Sequence, residues 1–295
     1  MKTITVFTPT YNRAYCLHQL YDSLIKQTNK DFEWLIIDDG STDNTKDVIG
    51  EWVKENKIII KYFYKENGGM HTAHNAAYNL IETELNVCID SDDFMTENAV
   101  ELILNKWEVV KVNKSIAGII GLDSDIKGDI IGSRLPVNLA TSTLYDLHYN
   151  HGVTGDKKLV YRTKTVKGFP IYPVFKEERL VSLGVLYLMI DQKYKIACLN
   201  EVLCVVEYLS GGSSDTIFAQ YKQSPKGFRY SRTIELLYMT DFKEKVKKVM
   251  HLISSTLFIG DFHFFKNNPQ KVLTLLCFPF GVFFHLYVLL KIKQK

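Results

Sequence analysis

Three carboxylates stand within four residues at Asp90-Ser91-Asp92-Asp93, directly after the apolar run Val87-Cys88-Ile89. Carboxylate oxygens are hard ligands, so a cluster of this kind suits Mg2+ or Mn2+. A cation held there would neutralise a diphosphate and act as a Lewis acid on its departure. A solvated acidic turn accounts for the same segment equally well, so neighbouring motifs have to be weighed with it.

A second acidic pair, Asp38-Asp39, leads into Gly40-Ser41-Thr42-Asp43. Helix capping explains Ser41 or Thr42 together with Asp43. It does not explain two adjacent carboxylates, which repel one another unless a ligand uses them. Between the acidic segments lies Asn67-Gly68-Gly69-Met70-His71-Thr72-Ala73-His74-Asn75. A glycine pair opening a helix lets the backbone approach a phosphate closely, and a helix N-terminus favours the anion. His71 or His74 could add a donor or a proton, though His74 reads equally well as a helix-surface histidine without a role. Upstream, Thr8-Pro9-Thr10-Tyr11-Asn12-Arg13 combines backbone amides with a flat aromatic ring and could hold a planar base; Pro, Asn and Thr are also ordinary turn formers.

The elements that must position these groups alternate. Apolar runs at 3–8, 33–38, 58–64 and 85–90 predict strands. Leu17, Leu20, Tyr21, Leu24 and Ile25 have helical spacing, and helices are predicted at 43–56, 71–81 and 97–112. Alternation at this spacing gives a doubly wound, mostly parallel α/β sheet. Such sheets bind ligands beyond the C-terminal ends of their strands, where every polar cluster above falls. From 116 to about 214 the pattern loosens into strands at 117–122, 159–163 and 194–208 around a helix at 180–192. The chain thus divides into a regular half at 1–112 that carries the polar clusters, a looser half of the same domain at 113–215, and a helical, basic extension at 216–295.

With 295 residues, 46% of them hydrophobic, the chain can bury a large core. Its formal charge of +3 is too weak to argue for nucleic acid. Basic residues cluster late, at Lys243, Lys245, Lys247, Lys248, Lys266, Lys271, Lys291, Lys293 and Lys295, which suits an anionic surface. Cys16, Cys88, Cys198, Cys204 and Cys277 lack metal or redox spacing and read as buried, reduced thiols. The apolar run at the N-terminus is too short for a signal peptide, which places the catalytic part in the cytoplasm. Residues 272–290 form 19 mostly apolar positions interrupted by Pro279 and Gly281. Spanning would put Lys291, Lys293 and Lys295 outside, against the positive-inside tendency. An in-plane or re-entrant segment on the cytoplasmic face keeps the lysines at anionic headgroups.

Taken together, the segments at 8–13, 36–43, 68–75 and 90–93 resemble the family 2 glycosyltransferases in order and spacing. The similarity continues more thinly through Gly155-Asp156-Lys157-Lys158, Val160-Tyr161-Arg162, Tyr194-Lys195, Asn200-Glu201-Val202-Leu203 and Glu207-Tyr208. It is similar to the subgroup that makes bacterial capsule, teichoic or other surface glycans. The resemblance implies a GT-A fold and a nucleotide-sugar donor, with UDP as its nucleotide, delivered to a glycan or lipid-linked acceptor. Pro9, Tyr11 and Asp39 then surround the base and ribose, while Thr8, Arg13, Asp38, Gly69, His71 and Asn75 complete the donor contacts. Asp90, Ser91, Asp92 and Asp93 match the family's DXD motif, with Asp92 and Asp93 as ligands for Mn2+ or Mg2+.

Many such enzymes invert the sugar: a carboxylate takes the acceptor hydroxyl proton, that oxygen attacks C1, and the nucleoside diphosphate leaves from the opposite face. The resemblance places this base near residue 180, with Glu178 the first choice and Glu177 the second, although both also suit a helix N-terminus. Two positions depart from the pattern: Leu183 stands where a second acidic residue is common, and Met70 where lysine is common. The loss at Leu183 makes a catalytically silent nucleotide-sugar-binding subunit the rival reading. A sugar nucleotidyltransferase would need a glycine-rich basic loop after the first strand, and a dehydrogenase would need GxGxxG there. Residues 8–13 offer neither, and the sequence carries no signal of oligomeric state.

Overall fold

The computed structural model describes residues 2–207, 217–261, 265 and 268–293. Tyr208, residues 211–214, Lys266 and Lys295 lie outside the described residues. Contacts divide the chain into two compact units, one drawn from within 1–67, 72–171 and 189–209, the other from within 68–71, 172–188 and 210–295.

The first unit is built on one nine-stranded sheet. Its strands are β1 (Ile4–Thr10), β2 (Phe32–Asp38), β3 (Ile60–Tyr64), β4 (Leu85–Cys88), β5 (Phe94–Met95), β6 (Ile116–Ser124), β7 (Thr141–Ser142), β8 (Lys157–Arg162) and β9 (Lys195–Val205). The order is β3-β2-β1-β4-β8-β6-β9-β5, with β7 also on β9. β1 and β2 are buried along their whole length, which is why their sequences read as continuous apolar runs rather than alternating ones. Helices α1 (Leu17–Ile25), α2 (Thr45–Glu55), α3 (Met70–Leu80) and α4 (Ala99–Val110) supply the crossovers. α1 turns Leu17, Leu20, Tyr21 and Leu24 inward, and α4 turns Ala99, Val100, Ile103 and Trp107 inward. They join Ile4, Val6, Trp34, Ile36, Leu85, Val87 and Val160 in one core. Each fully buried side chain of this size contributes about 1.5–3 kcal/mol.

The parallel, doubly wound arrangement holds for β3-β2-β1-β4. Beyond β4 the sheet is mixed: β8 runs antiparallel to both β4 and β6, β9 parallel to β6, and β5 and β7 antiparallel to β9. An antiparallel neighbour needs no crossover helix, so the irregular stretch before β8 can deliver it directly. Two consequences place the site. The chain runs outward from β1 to β2 and β3, then returns to β4 on the other side, so β1 and β4 flank a topological switch point. The register sets Thr10 beside Asp38 and Phe7 beside Cys88, bringing the loops after β1, β2 and β4 to one edge.

Short helices α5 (Leu144–Tyr149) and α6 (Thr163–Lys167) complete the first unit, and α7 (Gly184–Asp191) has residues 184–188 assigned to the second unit and 189–191 to the first. α7 begins later than the expected residue 180. The backbone before it is held against α9 (Pro225–Tyr238), where a Cβ on Gly227 would stand 1.9 Å from the Leu180 carbonyl oxygen. The second unit also contains α8 (Ile217–Gln223), α10 (Phe242–Ile259) and α11 (Lys271–Lys293). Leu236, Val249, Leu252, Ile253 and Cys277 form its core. α11 continues through Pro279, which faces away from the unit's core and removes only one helical hydrogen bond. Gly281 lets α11 approach α10 closely, since a Cβ there would lie 2.6 Å from Ile253 Cδ1.

Candidate functional site

The loop after β1 is bound tightly to the loop after β2. Asn12 adopts φ 53, a left-handed conformation that asparagine tolerates better than most residues. Its side-chain oxygen accepts the amide N–H of Thr42 at 2.7 Å and of Asp43 at 3.3 Å, and its own N–H donates to Ser41 Oγ at 2.9 Å. Thr8 is buried and its hydroxyl accepts the Trp34 indole N–H at 2.9 Å, so it shapes the strand end from beneath. Pro9 is buried beside Ile37. Tyr11, next to Asn12, is 44% exposed.

Asp38 and Asp39 are both buried. Asp38 accepts the Ser41 N–H at 2.7 Å on one oxygen and the Tyr62 hydroxyl at 2.6 Å on the other. Asp39 pairs with the Lys65 ammonium, which also donates to Thr72 Oγ1 at 2.9 Å. Protein groups therefore stabilise both charges of this pair.

The loop after β4 is different. Arg13 reaches across from β1, with Nη1 3.5 Å from Asp92 Oδ2, and donates to the Tyr15 hydroxyl at 2.6 Å. This ion pair spans the switch point. Asp90 reaches solvent, yet the protein packed around it withholds enough water to raise its carboxyl. Ser91 is buried and Asp92 half-buried. Asp93, paired with Asp92 as an expected metal ligand, turns inward and is 5% exposed. Its carboxylate lies 3.9 Å from Lys158 Nζ and accepts the Glu207 N–H at 3.4 Å. Burial pushes Asp93 up to about 7 against the pull of Lys158, with Asp90, Asp92 and Asp123 adding repulsion. Burial likewise pushes Asp123 up to about 6. Among the described residues no three acidic, histidine or cysteine groups converge as a ready-made metal cage.

Sequence reasoning included Lys158 and Asn12 in the family-like segments without giving them a role, and missed Asp123. Strand alternation carried one clue: Lys158 shares a face with buried Val160, an unusual place for a lysine without an acidic partner.

Helix α3 supplies two kinds of group. His74 is buried, with its ring edge-on to Phe7 at 5.0 Å and Nδ1 3.1 Å from the Tyr78 hydroxyl; it is a packed core residue, not a surface histidine. Asn75 is half-buried one residue later.

Gly69, His71, Glu177 and Glu178 belong to the second unit. His71 is buried there at the start of α3. Gly69 adopts φ 90, and a Cβ on it would stand 1.9 Å from the Arg179 carbonyl oxygen. Any side chain at 69 would push the glycine turn off the 177–179 segment. Glu178 is 8% exposed, and its two oxygens accept the N–H groups of Lys226 at 3.0 Å and Gly227 at 2.8 Å. These are orphan amides in the first turn of α9, where a carboxylate is favoured both as hydrogen-bond acceptor and by the helix dipole. Its neighbour Glu177 is exposed and held at φ 68, a conformation rare for glutamate. Leu183, in the same segment, accepts the Tyr172 hydroxyl on its carbonyl at 2.9 Å.

The description "Glycosyl transferase family 2" matches residues 5–142, which carry the switch point and both acidic loops. Residues 5–142 carry a family 2 glycosyltransferase domain. Among its relatives, the poly(ribitol-phosphate) β-N-acetylglucosaminyltransferase TarP of Staphylococcus aureus is 26% identical over 265 residues, covering 84% of this chain and 75% of TarP. Chondroitin synthase of Pasteurella multocida is 36% identical over 104 residues, 35% of this chain; the matched part is 11% of the synthase's own length. The fold is GT-A: Staphylococcus aureus TarS 1–349 in complex with UDP-GlcNAc superimposes with a TM-score of 0.65 at 18% identity, covering 92% of this chain and 83% of that one.

Proposed function

We propose that this protein transfers a sugar from a UDP-sugar to a glycan or lipid-linked acceptor in bacterial surface-polysaccharide synthesis, with inversion and with a divalent cation. The observation that carries the reading is the pairing of Arg13 with Asp92 across the β1/β4 switch point, beside exposed Tyr11. A base stacked on Tyr11 would leave its diphosphate between a guanidinium and the open carboxylates Asp90 and Asp92. Mg2+ and Mn2+ fit this set, because such ions are commonly held by one or two carboxylates with substrate phosphates completing the shell. Asp90 and Asp92 are the ligands we favour, and Asp93, engaged by Lys158, supports them from below. The cation would supply Lewis acidity to the departing diphosphate. Pro9 and Asp39 frame the nucleoside, and Gly69, His71 and Asn75 are the remaining donor contacts we assign.

For the base, Glu177 is the better candidate. A general base has to reach the acceptor hydroxyl, and Glu178 is 8% exposed with both oxygens turned to backbone N–H groups of α9. Glu177 is exposed, and its left-handed backbone is the kind of local strain that functional sites retain. The occupied Glu178, together with Leu183, also favours a second reading, a nucleotide-sugar-binding subunit without turnover.

The membrane enters through α11. Val272, Leu275, Leu276, Phe280, Phe283, Leu286, Tyr287 and Leu290 are exposed at helical spacing along one side, while Thr274, Cys277, Gly281 and Val288 are buried on the other. The helix is long and apolar enough to cross a bilayer, with mean hydropathy 2.1 and only 22% of that stretch buried. Crossing would drag the attached α10 and its Lys243, Lys245, Lys247 and Lys248 into hydrocarbon, so α11 lies in the plane of a cytoplasmic leaflet.

The test is nucleotide release from UDP-, GDP- and dTDP-sugars with and without Mn2+ or Mg2+, followed by the anomeric configuration of the product. Cation-dependent turnover of one UDP-sugar to an inverted product supports the transferase. Saturable UDP binding without turnover on any acceptor would favour the silent subunit.

A further inference from the structure

Lys158 stands apart from every other lysine in the first unit. It lies on β8, inserted between β4 and β6, and is 8% exposed. Its ammonium is 3.9 Å from Asp93 Oδ2 and 3.8 Å from Asp123 Oδ2. Asp123 lies near the end of β6, is 1% exposed, and its other oxygen, Oδ1, is buried without a hydrogen-bond partner. Asp93 in turn accepts the N–H of Glu207, just beyond β9. One buried ammonium therefore ties the acidic loop after β4 to the C-terminal ends of β6 and β9. The adjacent Lys157 is used differently, since its ammonium donates to the backbone carbonyls of Ile131, Thr154, Gly155 and Asp156 at 2.7–3.3 Å.

The charge balance makes the arrangement informative. Two buried carboxylates face one buried cation, and Asp90 and Asp92 add negative potential from the open side. Removing one partner of a buried ion pair leaves the other charge uncompensated, which is far worse than losing a surface pair. A purely structural core would be expected to use apolar residues here. A charged core directly beneath the loop suggests that the loop must stay fixed while a cation and a diphosphate come and go above it.

We propose that Lys158 is a positioning residue of the donor site, holding Asp93 inward so that the preceding Asp92 projects outward to the cation and its nucleotide. The proposal rests on the reading of Asp92 as a cation ligand. Lys158 touches neither sugar nor nucleotide; it acts through Asp93 and has Asp123 as its second counter-ion. Groups that orient metal ligands in this way change metal affinity by about 10–100-fold when removed.

The experiment measures binding rather than turnover alone. UDP binding to the full chain is titrated calorimetrically with and without Mn2+, for wild type, Lys158→Met, Asp123→Asn and the double variant Lys158→Met/Asp123→Asn. The double variant removes one charge of each sign, which keeps the core closer to balance if Lys158→Met alone does not fold. With Mn2+, both variants lacking Lys158 should bind UDP about 10–100-fold more weakly than wild type. Metal-free UDP binding should change little, and Asp123→Asn should keep the wild-type enhancement by Mn2+. In turnover, the Mn2+ concentration for half-activation should rise while the acceptor KM stays fixed. Wild-type Mn2+ enhancement in the double variant would overturn the proposal and leave the transferase reading intact. An absence of Mn2+-enhanced UDP binding in wild type would overturn both.

Discussion

The loops after β2 and β4 occupy equivalent places at strand ends of the switch region, and each carries adjacent aspartates, yet they are treated in opposite ways. After β2, Asp38 is satisfied by Ser41 and Tyr62, and Asp39 by Lys65. After β4, Asp93 and Asp123 share the single ammonium of Lys158, Asp92 meets the Arg13 guanidinium at 3.5 Å, and Asp90 opens toward solvent, so negative charge is in excess. The first loop is a finished wall; the second is electrostatically incomplete until something positive arrives. The same division recurs in the second unit, where Glu178 is fully engaged and Glu177 is exposed. A cluster of carboxylates is thus not a site by composition alone. What separates framework from chemistry is whether the protein itself has answered each charge.

Substitutions can break or sharpen that division. The largest effect is expected at Asp92→Ala: cation-dependent turnover of a UDP-sugar should fall by about 10²–10³-fold, the scale of losing several kcal/mol of Lewis-acid stabilisation. Denaturant unfolding should shift by no more than about 0.5 kcal/mol. Equal damage to stability at Asp92 would erase the distinction from Asp38. Next comes Glu177→Gln, expected to lower kcat by about 10²-fold or more while UDP binding is kept. Glu178→Gln should instead weaken the α9 cap by about 1 kcal/mol, read as a lower melting temperature. A reversal between these two would return the base to Glu178. Asp38→Ala should cost about 2–3 kcal/mol in unfolding free energy, since the Tyr62 hydroxyl and the Ser41 amide lose their acceptor.

The β4 side also has a pH signature. Burial raises Asp123 to about 6, so the folded protein keeps this proton longer than the unfolded chain does. The contribution to stability is fully present below the ordinary value near 3.8 and is lost as pH rises through about 6. Thermal melts of wild type and Asp123→Asn should therefore diverge across that window, with wild type losing more stability on the alkaline side. The smallest folding effect is expected at Phe283→Asp on the exposed side of α11: unfolding should change by less than about 0.5 kcal/mol. Flotation with vesicles containing anionic lipid should nevertheless fall, and flotation equal to wild type would remove the in-plane assignment.

Much of this was legible in the sequence because local periodicity carried it. The apolar runs of β1, β2 and β4 and the spacing of Leu17, Leu20, Tyr21 and Leu24 identify the parallel half, and the switch point follows from the order of those elements. The two-residue strands β5 and β7 are too short to show a period, and they exist because β9 offers them an edge. Lys157 and Lys158 are chemically identical neighbours whose roles separate only when β8 is placed between β4 and β6. Glu178 reads as a base in the sequence because its partners, Lys226 and Gly227, are far away along the chain. Asp93 reads as a metal ligand for the same reason: its partner Lys158 comes from a later strand. The residues whose surroundings stay hidden in the sequence are those whose charges are answered by long-range contacts.

One comparison reaches the central claim most directly: UDP release from a UDP-sugar by wild type and Asp92→Ala, side by side, across a Mn2+ titration. The account predicts a saturable rise with Mn2+ in wild type and a flat, near-background response in a folded Asp92→Ala protein. Equal, Mn2+-dependent release by both proteins would contradict it and show that the incomplete charge of the β4 loop serves something other than donor turnover.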